Sequence, residues 1–118
     1  MATRETRKTI EPMTRNDLPL ACDMTAIPLA DRPGHARLAR SLVGALDVAE
    51  PVDRGEEEGL RIDLPASALS DVARWTDHER LCCPFLRFTI DVEPAADAIT
   101  LTLSGPIGTR AFLKEELR

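Results

Sequence analysis

The stretch Trp75–Val92, WTDHERLCCPFLRFTIDV, changes its period halfway along. On a wheel turning about 100° per residue, Leu69, Val72, Trp75, Thr76, Cys82, Cys83 and Leu86 share one broad sector, which is helical spacing. After Pro84 the apolar residues Phe88, Ile90 and Val92 alternate with polar neighbours, the spacing of a strand. Pro84 marks the switch, because proline disfavours helical geometry at the residue before it. A helix capped by Ser67 and running to about Cys83 therefore passes almost directly into a strand. Downstream, EPAADA turns the chain and Ile99, Leu101 and Leu103 alternate as a hairpin partner. GPIG then breaks the strand, and TRAFLKEELR closes as a short helix.

Upstream, Leu60, Ile62 and Leu64 alternate with Arg61 and Asp63 as another strand. The preceding DVAEPVDRGEEEG is polar, acidic and broken by Pro and Gly, so it reads as a mobile loop. Asp31 is placed to cap a helix over RPGHARLARSLVGAL, with Leu38, Leu42, Ala45 and Leu46 on one face. From Asp17 onward Leu18, Leu20, Cys22, Met24 and Ala26 share one parity. They predict a half-buried strand with Cys22 on its apolar side and Pro19 at an edge. Residues 1–16 are polar and aperiodic, a loose tail before a single domain at 17–118. The order β-α-β-α-β-β-α predicts an α+β fold: a small, mostly antiparallel four-stranded sheet with helices packed on one face.

Composition narrows the function. The chain has 118 residues, 43% of them apolar and 30% charged, with a net charge of −5, as in an ordinary globular domain. An acidic balance argues against nucleic acid, whose phosphates call for clustered Lys and Arg. No apolar run approaches the roughly 18 residues needed to span a bilayer, and the first residues lack the apolar core of a secretory signal. The expected compartment is the cytoplasm, where the three cysteines would be reduced and a disulfide framework is not expected.

The chemistry centres on Glu79. It falls in the middle of an apolar helical stripe, with Cys82 and Cys83 one turn further on. A carboxylate there is costly unless it is paired, protonated or bound to a metal. The plain alternatives are a salt bridge to Arg37, Arg40, Arg61 or Arg87, and cysteines that are simply small core residues. Three thiols suit soft ions: Cu(I), Zn(II) and, by the same softness, Hg(II) and As(III). His78, four residues before Cys82, is a weaker ligand candidate because it leans to the polar side of the helix. His35 is expected at the surface. A nucleophilic role is disfavoured, since both Glu79 and the helix C-terminus oppose a thiolate.

The pattern W-x3-E-x2-C-C-x-F-x2-F, here Trp75, Glu79, Cys82, Cys83, Phe85 and Phe88, resembles a motif of small bacterial proteins associated with heavy-metal-resistance loci and mercury-type regulators. LACDMTAI and LTLSGPIG resemble the flanks of the same family, so the likeness covers about Leu18 to Leu117. It implies a soft-metal context and carries no catalytic assignment. The expected function is a cytosolic binding protein for a soft metal or metalloid (Hg, As, Cu or Zn) using Cys22, Cys82, Cys83 and Glu79. Its further partners would be a metal-responsive regulator or a second copy of the chain. The alternatives are a thiol redox enzyme or sensor built on the vicinal Cys82–Cys83 pair, and an interaction module whose cysteines are structural. Cys22 is expected to meet the vicinal pair in one core despite the sixty or so residues between them.

Overall fold

Leu60, Ile62 and Leu64 lie buried on one face of their strand, while Arg61 and Asp63 face water on the other. This alternation fixes the register of the sheet, because a slip of one residue would turn every apolar side chain outward. In the computed structural model, which describes residues 19–116, Leu60 pairs with Leu103, Ile62 with Leu101 and Leu64 with Ile99. Phe88, Ile90 and Val92 continue the same rows on the far side of Leu103, Leu101 and Ile99. One continuous apolar face results.

The elements are α1 (Arg32–Leu46), β1 (Glu50–Arg54), β2 (Glu57–Pro65), α2 (Leu69–Cys82), β3 (Arg87–Val92), β4 (Ala98–Pro106) and α3 (Thr109–Glu116). The sheet is four-stranded and antiparallel throughout, in the order β1-β2-β4-β3. The fold is therefore α+β, as expected. Leu42 and Leu46 of α1 and Val72 and Trp75 of α2 join the sheet's apolar face in one buried core. The central strands approach closely at Gly59, where a Cβ would lie 1.8 Å from the Leu103 carbonyl oxygen, so only glycine fits.

Two segments are placed differently from the sequence reading. The acidic stretch before β2 is a β-hairpin rather than a loop. β1 is an edge strand, mostly exposed, so it has no apolar alternation by which to recognise it. Pro51 is tolerated there because an edge strand can do without a ladder donor. Gly55, with φ +69°, turns the chain at the first of two loop positions. The first strand of the order is thus Glu50–Arg54, after α1. In the stretch read as a strand from Asp17, the described part instead forms a 3-10 turn at Met24–Ala26. The Asp23 carboxylate caps that turn by accepting from the Thr25 backbone N–H at 3.0 Å, so this residue's preference for local backbone hydrogen bonds prevails over the alternation. The tail assigned to residues 1–16 lies outside the described residues. Among the described residues no helix is long and apolar enough to cross a membrane.

Candidate functional site

The site forms where α2 stops. The Cys83 backbone N–H still donates to the Glu79 carbonyl at 2.8 Å, but its φ of −124° and ψ of 73° have left the helix, as a residue before proline tends to do. Two consequences follow. Cys82 remains on the buried face of α2. Cys83 swings out of the helical path, and both sulfurs end on the same side, 3.5 Å apart. Cys22 arrives from the segment before α1. The Asp23 backbone N–H donates to the Cys82 carbonyl at 2.8 Å, and fully buried Ile27 anchors the other end of the turn. An end-of-helix carbonyl that would otherwise lack a partner thereby fixes the third cysteine over the other two.

Cys22, Glu79, Cys82 and Cys83 each present a ligand atom within 4.8 Å of all the others, so the four are close enough to share one metal ion. The sequence expectation that Cys22 meets the vicinal pair is met, by a 3-10 turn rather than by a strand. Three of the four residues are buried and Cys22 is half-buried. The expectation of reduced cysteines needs correction. Cys22 and Cys83 are joined in a disulfide, with Cα atoms 4.5 Å apart, and Cys82 is the free thiol. The vicinal pair is not the bonded one. Closing a ring around a single peptide bond would push that bond from relaxed trans planarity, whereas Cys22 comes from a separate segment.

Glu79 carries the electrostatics. It is 4% exposed, and burial pushes its carboxyl above the ordinary value, opposed by the hydrogen bond it accepts from His35. His35 Nε2 donates to Glu79 Oε1 at 2.7 Å. The Cys82 thiol points at the same oxygen from 3.6 Å, and the Cys83 sulfur lies 3.1 Å from Oε2. While Cys83 is bonded to Cys22 its sulfur has no proton to donate, so that second contact is proximity alone. Burial, reinforced by the neighbouring carboxylate, pushes the Cys82 thiol up to about 12. Without a cation nearby Cys82 stays protonated at neutral pH.

His35 was expected at the surface and is 3% exposed. None of the four arginines proposed for Glu79 is its partner among the contacts of the described residues; the histidine is. A signal was available. His35, Leu38, Leu42 and Leu46 recur at spacings of three and four, so His35 extends the apolar stripe of α1 by a turn. Its ring stacks on Trp75, with centroids 6.1 Å apart and planes within 3°. His78 stands outside the cluster. Its Nε2 lies 3.5 Å from the Asp31 carboxylate, and its ring meets that of His35 edge-on. Asp31, expected to cap α1 with its side chain, makes no such capping bond.

Comparison of the chain with family models, curated proteins and solved structures finds no match, so the site is read from its own geometry.

Proposed function

We propose that the reduced protein binds one soft metal or metalloid ion through Cys22, Cys82 and Cys83, with Glu79 as a fourth ligand or as acceptor of a displaced thiol proton. The observation that supports this best is the convergence of three sulfurs and a buried carboxyl within 4.8 Å. Core cysteines have no need of a carboxylate between them, and a core carboxylate would be expensive there without a use. Sulfur donors favour Hg(II), As(III), Cu(I) or Zn(II) over hard cations. A bound cation would reverse the local electrostatics, since the carboxylate that now opposes a Cys82 thiolate would help neutralise the ion. Cys82 itself is a poor nucleophile, because burial and the neighbouring carboxylate hold its thiol protonated in the absence of a cation. The disulfide-bonded form is the oxidised state of this site, and ion capture requires its two-electron reduction. We place the protein in the bacterial cytoplasm, whose thiol pool keeps such a site open, and in the setting of heavy-metal resistance that its motif suggests.

The test is native mass spectrometry of reduced protein titrated separately with Hg(II), As(III), Cu(I) and Zn(II). The expected result is a one-to-one complex with at least one of them that survives a competing small thiol. A reduced protein that acquires no ion from any of the four would refute the reading.

A further inference from the structure

The three sulfurs differ in access. Cys82 is 2% exposed and Cys83 0%, whereas Cys22 is half-buried at the rim. An oxidant diffusing from solvent therefore meets Cys22 first. The pairing adds a second asymmetry. Cys83 has Cys82 3.5 Å away and Cys22 in reach, and it is bonded to Cys22. Cys22 is held beside it by the backbone bond from Asp23 to Cys82, so the two can join with their Cα atoms 4.5 Å apart, inside the usual disulfide range. The site thus has one sulfur placed to react with an outside molecule and one placed to displace that molecule again.

We propose that Cys22 is an S-thiolation site, through which a low-molecular-weight disulfide oxidises the cluster and turns off ion capture. The consequence for ion capture rests on the binding reading above; the thiol chemistry does not. In the first step the Cys22 sulfur attacks one sulfur of the disulfide RSSR. A Cys22–SR bond forms, the RS–SR bond breaks, and one RSH leaves with the proton that Cys22 lost. In the second step the Cys83 sulfur attacks the Cys22 sulfur of that mixed disulfide. The Cys22–Cys83 bond forms, and a second RSH leaves with the Cys83 proton. Two protein thiols are oxidised and one RSSR is reduced to two RSH, so atoms and electrons balance. A dithiol reverses both steps, entering again at the exposed sulfur. Cys82 takes no part and remains a thiol. Oxidation removes two of the three sulfurs from the ion at once. The acidic carboxyl and the buried thiol that remain make a poor soft-ion site.

The experiment exposes reduced protein to oxidised glutathione, quenches samples over time with acid, and maps adducts by peptide mass spectrometry. The expected course is a transient glutathionyl adduct on Cys22, followed by the Cys22–Cys83 disulfide. Cys83→Ser should hold the adduct on Cys22, and Cys22→Ser should lose both adduct and disulfide. Cys82→Ser should oxidise like the parent. If Cys83→Ser fails to fold, the quenched time course of the parent still identifies the first sulfur to react. An adduct that forms first on Cys82 or Cys83, or a Cys82–Cys83 disulfide in Cys22→Ser, would overturn the proposal. The same samples are then offered Hg(II) and examined by native mass spectrometry. Loss of the complex on oxidation is expected, and oxidised protein that binds as well as reduced protein would overturn the switch. Reduced protein that binds no Hg(II), with Cys22 still thiolated first, would separate the failure of ion binding from the thiol chemistry.

Discussion

Glu58 and Glu79 are both carboxylates drawn in from water, and they are treated in opposite ways. Glu58, on β2, reaches the start of α3, where its Oε2 accepts the backbone N–H groups of Gly108 at 2.9 Å and Arg110 at 3.1 Å. Arg110 reaches back over the hairpin to donate to the carbonyls of Gly59 and Val52. That carboxylate satisfies free donors at a helix N-terminus, where negative charge is favoured, and its surroundings explain it fully. Glu79 lies one turn before a helix C-terminus, where the dipole disfavours it, with one histidine and two sulfurs as company. The fold gains a capped helix from the first and nothing comparable from the second. The difference separates a carboxylate that builds the structure from one that the proposed ion site would use.

The largest expected effects are at the sulfurs. Cys82→Ser or Cys83→Ser should weaken soft-ion affinity by more than the roughly 10–100-fold typical of changes that only disturb ligand orientation. His35→Asn should fall inside that interval, since it removes the donor that orients Glu79 without removing a ligand. Competition against a small dithiol, with circular dichroism as folding control, reads both. Equal affinities across the set would mean that the thiols are packing alone.

Stability separates the two carboxylates by a smaller amount. His35→Ala leaves the buried Glu79 carboxyl without its hydrogen-bond partner, a class of change that costs about 1–3 kcal/mol. Glu58→Gln keeps one acceptor oxygen for the α3 N–H groups and should cost only about 1 kcal/mol, the usual net worth of a hydrogen bond. Urea unfolding at neutral pH, with all samples in one redox state, measures the two. A smaller loss at His35 than at Glu58 would contradict the account.

Glu79→Gln gives a sign rather than a size. Burial raises the folded-state value of this carboxyl. Its contribution to stability is therefore present below the ordinary carboxyl value and lost as pH rises through the folded one. At neutral pH the group is a burden, so the amide should hold or increase stability while ion affinity falls. Exposed Glu56→Gln, in the hairpin turn, should change stability by no more than about 0.5 kcal/mol and leave affinity alone. Loss of stability in Glu79→Gln without loss of affinity would make Glu79 a structural residue like Glu58.

The smallest effect is alkaline. Cys82 has its thiol raised from 9.0 to about 12, so stability from this group is present below pH 9.0 and is lost as pH climbs toward 12. The urea midpoint of the parent should decline over that window, and Cys82→Ala should decline less. Parallel curves would show that the buried thiol is not the source.

The same pair of regions shows what is legible in a sequence. The Glu79–Cys82–Cys83 face follows from helical spacing, and Pro84 correctly ends the helix, because both signals are local. The meeting with Cys22 follows from parity, even though the segment holding it is a turn rather than a strand. Parity reports which side of the chain faces the core and is silent about whether a neighbouring strand exists to pair with. β1 leaves no signal for a related reason: an exposed edge strand with a proline has no buried face to set a pattern. Nothing local in the sequence pairs Glu58 with Arg110, since only the antiparallel return of β4 brings α3 beside the hairpin. His35 is legible in the spacing of α1, although a histidine is so often solvated that spacing alone does not place it in the core. Sequence patterns locate faces; the pairing of polar groups between distant faces needs the fold.

Capture of a soft ion by the four convergent groups when the disulfide is open is the proposal on which the rest depends. Its most direct measurement is a competition titration of reduced parent protein with Hg(II) against a small dithiol, repeated after oxidation to the Cys22–Cys83 form. One ion held by the reduced protein against the competitor, and none by the oxidised protein, is the predicted result. Capture of Hg(II) by the dithiol at stoichiometric amounts, with the reduced protein left empty, would contradict it.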